Sequence, residues 1–129
     1  MMSPRQELYD ALFMASQDLG YTTFQYLPPG QTPYPFVVIN DVQMYKVSLK
    51  TAVQAHLVVT MHVWGDAESW TMVNDMIEQL ESAAQRGVET ENYHFKARIN
   101  DFDSQTVVDD SVPNTMLNHG LLTLSFVLT

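Results

Sequence analysis

The sequence predicts an α+β fold: an antiparallel-dominated sheet of four to five strands with two α-helices packed on one face. Three observations carry this expectation. From Val53 to Val63 apolar and polar residues alternate over eleven positions, the period of a half-buried strand. Two other stretches, after Ser3 and after Gly65, repeat their apolar residues at helical spacing. The elements then follow as helix, two or three strands with a hairpin, helix and two strands, with no internal repeat, which suits two helices laid on a sheet.

The first helix is expected over residues 4 to 19. Ser3 supplies a hydroxyl for a free backbone N–H, Pro4 fits the first helical position, and Gln6 stands three residues after the serine. Leu8, Leu12, Ala15 and Leu19 form a one-sided stripe, and Gly20 provides the stop. Tyr21 to Leu27 reads as a short strand, and the proline-rich segment 28 to 35 as a stiff loop.

Phe36-Val37-Val38-Ile39 begins an apolar run toward Tyr45, and the polar interruption at Lys46 to Thr51 predicts a hairpin into the long strand from Val53. In that strand Val53, Ala55, Leu57, Val59, Met61 and Val63 share one face, while His56 and His62 fall on the other. Trp64-Gly65-Asp66 ends it.

Trp70, Val73, Ile77, Leu80 and Ala84 predict a second helix over residues 67 to 85, capped by Asp66 or Ser69 and closed by Arg86-Gly87. Tyr93, Phe95, Ala97 and Ile99 alternate with polar residues in a further strand. Phe102 to Asn114 reads as an acidic loop, and Leu121 to Thr129 as a final strand.

With 129 residues the chain is expected to be a single domain, residues 1 to 129, able to bury a core without staples. It contains no cysteine, so disulfides, thiolate zinc sites, iron–sulfur clusters and a cysteine nucleophile are excluded. Six Lys plus Arg against 15 Asp plus Glu give a net charge of -9, which repels phosphate backbones and disfavours sequence-specific DNA binding. No basic leader or membrane-length apolar stretch appears, so a cytoplasmic protein, or one assembled from the cytoplasm, is expected.

Motifs that would carry chemistry are scarce. His56 and His62 share a strand face but lie roughly 20 Å apart at about 3.3 Å per residue, and His94 adds no carboxylate, so these read as strand residues rather than metal ligands. Asp101, Asp103, Asp109 and Asp110 form the one carboxylate cluster. Their oxygens suit magnesium or calcium, which makes a small metal-dependent enzyme the reading from another class. Their spacing is not that of an EF-hand, however, and acids in turns are commonly solvated.

The five glycines read as punctuation, with neither a Gly-x-Ser-x-Gly elbow nor a phosphate-cradling loop. Trp64 and Trp70 read as core residues, with a ligand-stacking module around Tyr34 as the alternative. The methionines, including Met61, Met72, Met76 and Met116, read as core fillers. No catalytic residue, cofactor or metal is therefore expected.

The order of motifs adds a resemblance. A helix bearing Leu8 and Leu12, then Pro33-Tyr34-Pro35-Phe36-Val37-Val38-Ile39, then a long strand ending in Val63-Trp64-Gly65, then an amphipathic helix, resembles the tail-completion proteins of long-tailed bacteriophages. These are the tail terminators that join tail to head. The Asp101 to Asp110 segment followed by Gly120-Leu121-Leu122-Thr123-Leu124-Ser125-Phe126 is similar to the same family.

The resemblance implies a homo-oligomeric ring, usually a hexamer, in the virion at the head–tail interface. Such a ring sits on the major tail protein, stops tail polymerisation and offers a surface to a head-completion or stopper connector protein. Another head–tail connector ring is the close alternative. An acidic lumen would let DNA pass without sticking, and no membrane is involved.

A ring requires two complementary surfaces on each subunit. The candidates are a basic hairpin tip, Lys46 and Lys50, and an acidic loop holding Phe102, Asp103, Asp109 and Asp110, with Tyr34 in the stiff loop as a further contact.

Overall fold

The computed structural model describes residues 2–129 and shows two α-helices with seven strands. Helix α1 spans Pro4–Asp18. The Ser3 side chain accepts from the Gln6 N–H at 3.2 Å, as a cap should. Of the expected stripe, Leu8 and Leu12 are buried, but Leu19 lies beyond the helix and is exposed. Glu7 and Ser16 occupy buried positions instead.

Strand β1 is only Thr23–Phe24, shorter than the expected Tyr21 to Leu27. It runs parallel to β2, Phe36–Ser48, which turns back into β3, Val53–Gly65. The Leu49 N–H donates to the Ala52 carbonyl at 2.7 Å to close this hairpin. A register shift between Ile39 and Val42 bends β2, and on either side of it Ile39 and Val42 both still enter the core.

Helix α2 is Trp70–Gln85, starting three residues later than the expected 67. Asp66 is not its cap: its carboxylate accepts from the Glu68 N–H at 3.1 Å and the Ser69 hydroxyl at 2.6 Å, ordering the turn before the helix. Strands β4 (Val88–Glu89) and β5 (His94–Ala97), a single 3-10 turn at Ile99–Asp101, β6 (Asp103–Asp109) and β7 (Leu117–Leu128) complete the chain.

The strand order is β1-β2-β3-β7-β5-β4, and β6 pairs with the other half of the β7 edge that β5 uses. The expected antiparallel-dominated sheet of four to five strands is thus corrected to a larger, mixed sheet of seven, with β1 parallel to β2. Two strands account for much of the excess. The pair β4 and β1 are two-residue bridges too short for a periodic signal.

The segment expected as an acidic loop, Phe102 to Asn114, holds β6 instead. Its pairing runs from Asp103 opposite Thr123 to Asp109 opposite Leu117. Backbone bonds to β7 outweigh the turn preference of its terminal acids, and the intervening Thr106-Val107-Val108 has β-forming residues.

Leu8 and Leu12 of α1, Val73, Met76, Ile77, Leu80 and Ala84 of α2, Leu57, Val59, Met61 and Val63 of β3, and Leu122, Leu124 and Phe126 of β7 form one core. Both helices therefore cover the same face. Each fully buried side chain of this size contributes about 1.5–3 kcal/mol.

Two glycines seat α2. A Cβ on Gly120 would lie 2.6 Å from Ile77 Cδ1, and one on Gly65 would lie 2.6 Å from Val73 Cγ2. Gly120 is inside β7, which begins at Leu117 rather than Leu121, so it is a packing residue and not punctuation. Gly20 and Gly87, at φ 91° and 82°, do end helices as expected.

Candidate functional site

The face of the sheet turned away from the helices carries an aromatic and imidazole cluster. In register, Trp64 stands opposite Phe36 on one side and His119 on the other. The Trp64 and His119 rings stack with centroids 3.8 Å apart, and Tyr34 stacks on Phe36 at 5.3 Å.

His62 Nδ1 and His119 Nε2 share a hydrogen bond at 2.9 Å, one ring donating and the other accepting. Burial holds both imidazoles below their ordinary value, and for His119 the neighbouring His62 adds to the effect. The hydrogen bond between the rings works in the same sense for His119, since two protonated rings would set two N–H groups head to head.

Further along the same face His56 is buried, 5% exposed, rather than solvent-facing as its strand position suggested. Arg98 donates to its Nδ1, and its Nε2 lies 3.2 Å from the Gln54 side-chain Oε1. Burial first, and the Arg98 charge second, hold His56 below the ordinary imidazole value. Arg98 in turn pairs with Asp101 at 2.8 Å.

The sequence candidates fall in three places. Tyr34 belongs to the aromatic end of the open face. Lys46 is near the end of β2 and Lys50 in the turn that follows. Both are exposed, and neither has an ion-pair partner among the described residues.

Phe102 packs edge-on against Phe126 with centroids 6.2 Å apart, so it contributes to the core rather than to an exposed surface. Asp103 and Asp109 start and end β6, and Asp110 follows it. Asp109 accepts from the Ser111 hydroxyl at 2.6 Å and N–H at 2.9 Å, which holds its carboxyl below the usual range.

The strand separates Asp103 from Asp109 by roughly 20 Å at about 3.3 Å per residue. The compact four-acid cluster suggested by the sequence is therefore drawn out along an edge. Among the described residues, no three His, Cys, Asp or Glu side chains gather in a way that could hold a metal ion. No helix is long and apolar enough to cross a membrane.

The Trp70 ring, expected in the core, is 59% exposed. With Asn74 of α2 and Ser104, Gln105 and Thr106 of β6 it lines a shallow groove, whose two sides are joined by a 2.6 Å bond from the Thr106 hydroxyl to Asn74 Oδ1. The exposed apolar residues Val107, Val108, Val112 and Met116 lie along or just beyond β6. Met116 and Met72 are exposed, whereas Met61 and Met76 fill the core as expected.

Sequence reasoning missed this edge. Its one signal was Thr106-Val107-Val108, three consecutive β-branched residues inside a segment read for its acids. His119 was also missed, because nothing local marks it as a neighbour of Trp64 and His62.

Fold and surface together define an α+β domain with polar and apolar edges and shallow grooves, and no gathered ligand set among the described residues. No protein-family model and no curated protein matches the chain. Its fold is similar to that of a chain in the virion of a native gene transfer agent particle, with a TM-score of 0.66, 15% identity and 96% of each chain covered.

Proposed function

We propose that this chain is a structural protein of a phage-type virion, a tail terminator. Copies form a ring, usually six in such proteins, that caps the tail tube, stops its polymerisation and presents the joint to the head connector. The carrying observation is the fold likeness to a gene transfer agent virion chain over 96% of both chains. The motif order around Pro33-Tyr34-Pro35 and Val63-Trp64-Gly65 supports the terminator role within that class.

Its partners on this reading are other copies of itself, the major tail protein and a head-completion or stopper protein. The net charge of -9 suits a lumen through which DNA passes without being held. The protein has no catalytic task here. Among the described residues the acids along and beside β6 do not gather into the ligand set that a metal-dependent enzyme would need.

Light scattering tests the reading. The purified chain is expected to have ring mass, or to reach it on tail tubes from a terminator-deficient phage, and to halt tube growth at a uniform length. A chain that binds head connectors but ignores tubes would make it a stopper ring instead. A monomer indifferent to both would overturn the virion role.

A further inference from the structure

We infer that the outer edge of β6 receives the hairpin arm of a second copy of this chain, joining the sheets of neighbouring subunits by strand addition. The inference rests on the ring reading above and specifies the contact that closes it.

Two of the open stretches of edge are long enough to receive a strand. Strand β6 pairs only with β7, so alternate N–H and carbonyl groups of Asp103–Asp109 point away from the sheet. Its middle, Ser104-Gln105-Thr106-Val107-Val108, contains no lysine, proline, glycine or bulge, the devices that guard a free edge.

The outer edge of β2 is covered up to its bend. Strand β1 pairs with Val37 and Val38, Tyr9 donates to the Ile39 carbonyl, Gln25 to that of Asn40 and Arg5 to that of Val42. Gln43 to Ser48 lies beyond these partners and is paired on its inner side alone, to β3. Six open residues on β2 thus face seven on β6 in length.

Charge and polarity match across the two edges. From Gln43 to Ala55 the arm holds Lys46 and Lys50 and no acid, while Asp103 to Asp110 holds Asp103, Asp109 and Asp110 and no base. In a chain of net charge -9, that is a local reversal of sign. Both edges also expose apolar side chains: Met44, Tyr45 and Leu49 on the arm, and Val107, Val108 and nearby Trp70 on the receiver.

Within one chain the edges are not paired, and β3 and β7 stand between β2 and β6. Between chains the contact is head to tail, the kind that closes into a ring when the rotation allows. Main-chain bonds supply the attraction, and the lysine and aspartate ends select partner and register.

The test uses the full chain in three forms: Lys46→Glu with Lys50→Glu, Asp103→Lys with Asp110→Lys, and all four together. All these side chains are exposed, and circular dichroism checks that each form folds. Each double variant is expected to weaken self-association by about tenfold or more, and the fourfold variant to recover it.

Hydrogen exchange on the wild type gives the second reading. Amides from Gln43 to Ser48 and from Asp103 to Asp109 are expected to gain protection together on association. Rings that form equally well in every variant, with those amides unprotected, would overturn the strand contact and leave the ring intact. A wild type that never associates, even on tubes, would overturn the ring itself. Protection of β6 by tubes while the chain stays monomeric would give the edge to another virion protein.

Discussion

Glu7 is the one carboxylate buried among the described residues, although it sits in the first turn of a surface helix. It accepts from the Asn92 amide Nδ2 at 2.7 Å and backbone N–H at 3.1 Å, tying α1 to the turn before β5. The Asn92 side-chain bond, more than any other influence, holds its carboxyl below the ordinary 4.5. A carboxyl depressed in the folded state contributes stability above its unfolded value, and that contribution is lost as pH falls through the folded one. Glu7→Gln is therefore expected to lower the melting temperature at neutral pH, with the gap to wild type narrowing below pH 4.5. Thermal melts across the acid range check this, and a gap constant with pH would mean that the charge contributes nothing.

At the scale of elements, α2 is held by what the sheet lacks. Gly120→Ala places a methyl within 2.6 Å of Ile77 Cδ1 and 2.8 Å of Val73 Cγ1, both in the core, so these side chains or α2 itself must shift. Overpacking of this kind is expected to cost about 1–3 kcal/mol in urea unfolding. Trp70→Ala at the start of the same helix is expected to cost under about 1 kcal/mol, because the ring is mostly in solvent. A larger loss at Trp70 than at Gly120 would contradict this packing. The comparison also shows which elements a sequence reveals. Strand β3 announced itself because from Leu57 to Gly65 its odd residues are buried and its even ones only half-buried, and α1 because its cap and stripe are local. Strand β6 stayed hidden because neither of its faces is well buried, so no alternation is imposed on it.

For the whole molecule, the governing quantity is the net charge of -9. Six basic residues are too few and too scattered to release counterions along a duplex. The chain is expected to leave the anisotropy of labelled duplex DNA unchanged at physiological salt. Salt-sensitive binding would show that cations gather on one surface and would contradict the non-adhesive lumen proposed above. Against that charge the arm from Gln43 to Ala55 is distinctive, since it holds Lys46 and Lys50 and no acid.

The sequence by itself determined the α+β class, both helices, the long hairpin and most of the core, because these follow from periodicities and caps within a few residues of one another. Which side chains share the remaining surface was decided by tertiary structure. His62 and His119 meet across 57 residues, Gly120 makes room for a helix far earlier in the chain, and Trp70 leaves an apolar stripe for solvent. The acids from Asp103 to Asp110 become an open edge only because β7 offers them a partner. Local patterns specify which faces are apolar; long-range pairing alone decides what those faces, and the edges between them, come to touch.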